Sequence, residues 1–560
     1  MKNINFIITV FFILISSLLS AQSHNEEVTV EGTYTPQIRK SERLIKTPDI
    51  PKRDFNIPNY QINTEDFTYD HRTDLEPISP LSYTYNNNVN ICNNFIKAGF
   101  GTRLSPDFLF RHYSNISKRS SLSIGIEHNS TWLDMKDYVN SKYMNNAFSL
   151  SMTNRFSQFQ LYSHVDYHYD TYYIRNIDTN IDTDSISNSN KDINENLLRK
   201  IHSLNVNIVA NNNKSSYQSL YDEFSLAYNY SGIQGGLQEH LLKFKAHLEH
   251  SNSWFKYSEG RQTLIADVNA EISNIGQTLF LLAFNPHLDF SGDFYNLRLG
   301  LCADVKTNST SVGGIYPDIK GSLYLFQKNI EFYAGMGGGT KINTLKEVLA
   351  ENPFVVSNLS KTGEFDYEKT KIEFQGGVKF KALNKLSGNI GVRYRKIDNH
   401  LFYINSISES GTFDIILNNC NVFNFVTDLQ LKLKETIKVN AYFSYNKYDL
   451  LNEIKNNNYQ EAWYKPEIEV ALRGMYKIND YWDVNLATYI ESYRYALTQD
   501  KNIEKLKPIC DIQLGCNYHL NKNLALYGEI KNLIHNKYQM YYNYPSYGIQ
   551  GFIGFKYRFL

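Results

Sequence analysis

Cys510-Asp511-Ile512-Gln513-Leu514-Gly515-Cys516-Asn517-Tyr518-His519-Leu520 alternates without a break. Successive side chains of an extended chain point to opposite faces. Ile512, Leu514, Cys516, Tyr518 and Leu520 therefore share one face, and Asp511, Gln513, Gly515, Asn517 and His519 share the other. A period of two with one apolar and one polar side predicts a strand that is dry on one face and wet on the other.

The same rhythm runs outward from this stretch. Downstream, Leu524, Leu526, Gly528 and Ile530 oppose Ala525, Tyr527, Glu529 and Lys531. Upstream, Trp482, Val484, Leu486, Thr488 and Ile490 oppose Asp483, Asn485, Ala487, Tyr489 and Glu491, and Ile468, Val470 and Leu472 oppose Glu467, Glu469 and Arg473. Ile437, Val439, Ala441 and Phe443 oppose Lys438, Asn440, Tyr442 and Ser444; far upstream, Leu242, Phe244, Ala246 and Leu248 oppose Lys243, Lys245, His247 and Glu249. The connections differ in length. Lys434-Glu435-Thr436, Asn479-Asp480 and Asn521-Lys522-Asn523 are short, whereas 173–200, 445–462 and 534–546 are long and polar. A soluble sandwich has no reason to sort its loops this way. A bacterial outer-membrane barrel does, with short periplasmic turns and longer external loops. The expected fold is all-β, a transmembrane antiparallel barrel. Residues 93–560, at roughly 20 per strand and connection, allow about 20–22 strands.

Composition agrees. The chain holds 43 Tyr and 33 Phe but 13 Pro, with equal numbers of acidic and basic residues. Tyr and Phe favour strands, and Tyr suits a membrane–water interface. A mean hydropathy of −0.43 fits a barrel whose lumen and loops are polar. Zero net charge gives no support for nucleic-acid binding. The five Cys (92, 302, 420, 510 and 516) form no disulfide framework; Cys510 and Cys516 are too far apart along one strand to pair.

The chain opens with Lys2, an apolar run from Ile4 to Leu19, and Leu19-Ser20-Ala21 before Gln22. This reads as an export signal over 1–21, too short for a membrane span. Residues 22–90 carry Pro36, Pro48, Pro51, Pro58, Pro77 and Pro80 among charges. Proline interrupts strand pairing, so this segment reads as an extended periplasmic or luminal arm, and 91–560 as the barrel. The expected location is the outer membrane of a Gram-negative cell.

The chain ends Gly554-Phe555-Lys556-Tyr557-Arg558-Phe559-Leu560, with Phe555, Tyr557 and Phe559 on one face. Such a strand can close the barrel and suits recognition by the barrel-assembly machinery. Together with Asn532-Leu533, Asn536-Lys537-Tyr538 and Gly548, it resembles the final hairpin of TonB-dependent receptors, with one extra residue before Asn536. The resemblance implies a 22-stranded barrel. Glu27-Val28-Thr29-Val30-Glu31-Gly32-Thr33-Tyr34-Thr35-Pro36 resembles the segment around the TonB box and plug entry of that family. The arm is too short and too proline-rich for a complete plug, so the expectation is a receptor-like barrel without one. The Ala21-Gln22 junction and abundant Asn are similar to Bacteroidota barrels of this kind.

The residues offer little covalent chemistry. His164, Asp166, His168 and Asp170 share one face of a predicted strand, but neighbours about 7 Å apart cannot chelate from one strand alone. They read as polar lumen wall. Arg393, Glu467, Glu469, Arg473, Asp483, Glu491, Glu529 and Lys531 are expected on the same inner surface, neutralising each other or forming a substrate-selective ring. Gly335-Met336-Gly337-Gly338-Gly339 lacks the Lys-Ser/Thr of a phosphate loop and reads as a strand bend. Thr344–Ala350 reads as a short helix in an external loop, ended by Pro353. No catalytic set, cofactor or metal site is expected. The leading functional expectation is uptake of an unidentified solute, alone or with a protein partner engaging 22–90. A scaffold barrel within an envelope complex is the alternative, and a passive channel is third for want of an obvious constriction loop.

Overall fold

The structure, a computed structural model, describes residues 93–559 except 136–140, 176–197, 213–219, 253, 255–260, 308–312, 359–364, 383–384 and 452–460. The expected signal, the arm, most of 173–200 and half of 445–462 lie outside the described residues.

Twenty-six strands follow in order: β1 (Asn94–Gly101), β2 (Ser105–Ser117), β3 (Ser120–Thr131), β4 (Tyr143–Arg155), β5 (Phe159–Tyr173), β6 (Leu198–Asn212), β7 (Leu220–Ile233), β8 (Gln238–Asn252), β9 (Arg261–Asn274), β10 (Thr278–Ser291), β11 (Tyr295–Lys306), β12 (Gly313–Leu325), β13 (Ile330–Ile342), β14 (Tyr367–Ala382), β15 (Leu386–Asn405), β16 (Phe413–Lys434), β17 (Ile437–Leu450), β18 (Ile468–Lys477), β19 (Trp482–Glu491), β20 (Arg494–Leu497), β21 (Ile503–Leu506), β22 (Ile509–His519), β23 (Leu524–Lys531), β24 (Gln539–Tyr541), β25 (Tyr544–Pro545) and β26 (Gln550–Phe559). Two small hairpins, β20–β21 and β24–β25, sit in loops. The other strands form one 22-stranded sheet in which each pairs antiparallel with its neighbour, and β1 pairs with β26 from Asn94–Phe559 to Gly101–Phe552. The sheet therefore closes on itself and leaves no edge. With apolar side chains on its outside, this is an outer-membrane β-barrel.

Phase follows from exposure. Leu514, Leu486 and Ile530, in register on β22, β19 and β23, are exposed, while Asp511 and Asn517 are buried. Ile553, Phe555 and Tyr557 are exposed on β26, and the Tyr557 and Phe559 rings stack with centroids 5.3 Å apart. The exposed apolar set is the lipid face; the alternate residues line the lumen.

The connections β2–β3, β4–β5, β12–β13, β14–β15, β16–β17, β18–β19 and β22–β23 are short turns at the end where the chain finishes. At the opposite end the longer connections β3–β4, β5–β6, β13–β14, β17–β18, β19–β22 and β23–β26 leave the sheet, and this is the external side. Strand lengths are uneven: β15 and β16 run 20 and 22 residues, whereas β1 and β23 have 8 each. The glycine run 335–339 lies in β13 at a register shift between Gly337 and Gly339.

Closure is reinforced on the inner face. Tyr527 stands in register with Gly554, Gly554 with Gly99, and Gly99 with Asp107. The phenol lies flat across both glycines and its hydroxyl reaches Asp107, 3.5 Å away on β2. Lys97 and Lys556 sit 5.0 and 5.2 Å from the ring centroid, and Lys97 pairs with Asp107 at 3.0 Å. Tyr333 repeats the device over Gly377 and Gly391, donating to Asn389 at 3.0 Å.

Candidate functional site: a roofed polar lumen

The largest buried apolar cluster lies at the external mouth. Ile201, Ile233, Leu237 and Ile275 contribute from one flank, Phe402, Tyr403, Phe413 and Ile415 from the tops of β15 and β16, and Trp463, Tyr464, Ala496, Leu506, Tyr541 and Tyr544 from three loops. Loops rooted around the barrel thus meet over the mouth and share one core. The sequence reading expected no constriction loop; the structure shows a roof. It escaped that reading because its residues are spread over several connections, each of which looks polar.

A seven-residue helix, α1 (Leu345–Glu351), anchors the roof. Thr344 caps it, its hydroxyl accepting from the Glu347 N–H at 3.2 Å. Glu239, at the external end of β8, accepts from the Leu345 N–H at 2.8 Å and from the Ser273 hydroxyl at 2.7 Å. A carboxylate on the first N–H groups of a helix satisfies donors that the helix leaves unpaired. Leu345, Val348 and Leu349 are buried beneath it. At the other end three elements converge on Glu351. Lys465 pairs with its carboxylate, the Tyr403 hydroxyl donates to Oε2 at 3.2 Å, and the Tyr541 hydroxyl donates to its carbonyl. Packing pushes the Glu351 carboxyl up, but Lys465, His400 and Tyr403 more than offset this and hold it below the usual carboxylate range. Arg199 donates to the Pro353 carbonyl at 2.9 Å and to Ser357 at 2.9 Å. Phe354 stacks on Tyr544 at 3.8 Å, and the Tyr544 hydroxyl donates to the Gly411 carbonyl at 2.6 Å.

Beneath the roof the inner wall is polar. His164 Nε2 lies 2.5 Å from Asp166 and its Nδ1 2.7 Å from the Ser151 hydroxyl; His168 and Asp170 follow on the same face of β5 without joining a metal-like cluster. Among the described residues no three His, Cys, Asp or Glu gather as an ion would require. Arg393 faces Glu373 at 3.5 Å, and Lys531 faces Glu529 at 3.8 Å. Asp483 accepts from Asn517 and approaches His519 Nε2, both at 2.5 Å. Glu469 and Glu491 stand in register on β18 and β19; Asn446 donates to Glu469 at 3.3 Å and Arg494 pairs with Glu491 at 3.2 Å. Arg473 lies opposite Ala487. Glu467 is exposed just above β18 and uses its backbone to hold Asn446 and Ser492. The polar residues singled out from sequence thus sit in separate pairs, some across strands, as Arg393–Glu373, and some along one strand, as His164–Asp166 and Glu529–Lys531.

A longer chain of pairs crosses β8–β12. His247 meets Asp267 at 2.6 Å, His287 lies 3.9 Å from Asp267, and Arg298 pairs with Asp289 at 3.0 Å and reaches Asp318 at 3.9 Å. The signal for it was present in the inward phase of His247 and Glu249, but nothing in the spacing tells which strands pair.

No protein-family model matches the chain, and no curated protein sequence matches it. Its fold does match solved structures. The ferric-catecholate import receptor Fiu of E. coli K12 superposes with a TM-score of 0.61 at 10% identity, over 84% of this chain and 82% of the other. The siderophore receptor PiuA of Acinetobacter baumannii gives 0.59 at 11%, over 83% and 82%, and the copper transporter OprC gives 0.55 at 13%, over 83% and 80%. The barrel has the fold of TonB-dependent receptors, with the strand number that the C-terminal resemblance implied.

Proposed function

We propose that this barrel takes up a small solute across the outer membrane, as a receptor-like transporter whose closed external mouth opens for its cargo. The observation that carries the reading is a polar, ion-paired lumen beneath a packed roof, on a fold shared with import receptors. A purely structural barrel could fill its lumen or leave its mouth unadorned. A permanently open channel has no use for a hydrophobic core across its entrance. Residues 22–90 would serve as the periplasmic or luminal arm through which a protein partner supplies energy coupling or the missing plug function. The second reading, a scaffold barrel, is favoured by the rigid Glu351 and Arg199 contacts, which would also suit a fixed docking platform. The chemistry assigned to the chain is non-catalytic in either case.

The test is planar-bilayer conductance of the purified mature chain, beside accumulation assays in cells with and without it. Ferric catecholate and copper are the first probes, since the structural neighbours are described as handling them. The expected result is no steady conductance from the intact protein, a measurable one after the segment 345–357 is replaced by a short Gly-Ser linker, and chain-dependent accumulation of a solute. Stable copurification with an envelope protein, with no conductance in the linker variant and no solute accumulation, would favour the scaffold instead.

A further inference from the structure

Of the outward-facing histidines among the described residues, His250 packs against Trp254 low on β8, and the other four divide into two kinds. His112 Nδ1 meets Asn94 at 2.7 Å and its Nε2 meets Ser114 at 3.1 Å. His128 Nδ1 meets Asn146 at 2.8 Å and its Nε2 meets Ser130 at 3.0 Å. Both rings are satisfied within the wall. His202 and His240 are different. Each is held at Nδ1 alone, by the hydroxyl of Tyr167 at 2.9 Å and of Tyr228 at 2.8 Å. Each also leans on a second tyrosine two residues further along, Tyr169 at 4.9 Å and Tyr230 at 5.2 Å between ring centroids. The arrangement occurs twice, on β5–β6 and on β7–β8.

The chemistry of the pair is directional. When the phenol donates to Nδ1, the neutral imidazole carries its proton on Nε2. Nε2 of His202 and of His240 has no hydrogen-bond partner among the described residues, so in the tautomer with the phenol donating each ring presents an N–H donor to its surroundings. Those surroundings are set by the strands. Both histidines lie near the external ends of β6 and β8, above the exposed apolar residues Ile208, Leu226, Leu242 and Phe244. Gly232 stands in register with His202 on the outer face, and the Tyr230 phenol lies over it between the two units.

We infer that each of the two Tyr–His units offers a hydrogen-bond site to a phosphate oxygen of the glycolipid headgroups in the external leaflet. The donors sit where acyl chain gives way to headgroup, and an N–H presented in a poorly hydrated interface gains most from an ionised oxygen acceptor. Interfacial anchoring by aromatic rings accounts for the tyrosines. It does not account for two imidazoles held in the same way with the same nitrogen left over, beside a neighbour, His128, whose nitrogens are both consumed. The site is independent of any transport role.

The mature chain would be reconstituted in phosphatidylcholine nanodiscs containing bis-phosphorylated lipid A or the same lipid A after phosphatase treatment, and bound glycolipid counted by native mass spectrometry. We expect retention of the phosphorylated form to exceed that of the dephosphorylated form, and to fall about tenfold or more in His202→Leu/His240→Leu, the scale of a lost hydrogen bond to a charged group. His112→Leu should leave retention unchanged. Leucine suits a lipid face, and heat-modifiable migration reports folding. Should the double variant fail to fold, Tyr167→Phe/Tyr228→Phe, which keeps the rings and releases Nδ1, carries the same expectation. Equal retention of dephosphorylated lipid A, or retention undiminished in whichever variant folds, overturns the assignment.

Discussion

Alanine placed at Gly99 and at Gly554 should fail for different reasons, and one substitution at Tyr527 should tell them apart. A Cβ at Gly99 would lie 1.9 Å from the Tyr527 hydroxyl and 2.8 Å from Cζ, with the Ile553 carbonyl at 2.9 Å. A Cβ at Gly554 would lie 2.2 Å from the Ala98 carbonyl and 2.6 Å from both Gly99 Cα and the Tyr527 ring. The first collision is chiefly with a side chain; the second is with the backbone of the partner strand across the closing seam. Overpacking of this kind costs about 1–3 kcal/mol. Tyr527→Ala alone removes a ring that is 6% exposed and two cation–ring contacts; about 2–4 kcal/mol follows from the lower part of the aromatic-truncation range. In the Tyr527→Ala background, Gly99→Ala should lose most of its cost and keep only the part set by the Ile553 carbonyl, while Gly554→Ala should keep nearly its full cost. Urea unfolding of the purified barrel, followed by intrinsic fluorescence and heat-modifiable migration, measures each corner of the two cycles. Equal rescue of both glycine variants, or of neither, would refute the account of the seam.

The Glu351 junction has a definite pH signature. Its carboxyl is held below the usual carboxylate range, so its contribution is present above the unfolded value, about 4.3, and is lost as pH falls through the lower folded value. Proteolytic cleavage within 345–357 of reconstituted protein should rise in that acid window, and Glu351→Gln should be cleaved readily at every pH; the side chain is 44% exposed, so a modest effect is expected, and identical profiles would sink the proposal. Leu514→Arg places a charge at the middle of β22 on the lipid face and should cost about 2–4 kcal/mol, read by the same urea titration against Gln513→Arg, which should cost far less. Deleting residues 31–85 while keeping the signal should leave a heat-resistant folded barrel; an unfolded or degraded product would show that the arm is needed to build the wall.

The wall was legible in the sequence because each strand has one dry and one wet face, and a slip of one residue would exchange them. Leu514 and Asp511 could not both satisfy any other phase. The terminal hairpin, from Asn532 to Phe559, carried the strand number through its likeness to a known family. The roof was not legible. Phe354, Phe413, Trp463, Tyr464, Tyr541 and Tyr544 lie in four different connections or their edges, and local spacing cannot say which loops meet. Nor did it separate His202 and His240 from the other histidines. Their distinction lies in a hydroxyl contributed by the neighbouring strand, and register between strands is invisible to a period-two pattern.

The uneven strands carry a consequence for how a cell displays this protein. The longest strand, β16, contributes 22 residues. At ~3.3 Å per residue and ~40° of tilt it rises some 55 Å, about twice the ~25 Å apolar band. The eight-residue β1 and β23 rise only about 20 Å on the same reckoning, short of that band. One flank therefore stands well proud of the lipid, while the regular strands of the other end within it. An antibody, a phage fibre or an impermeant labelling reagent approaching from outside would meet the crests of β15 and β16 first, and would find the seam between β1 and β26 screened by the surrounding glycolipid.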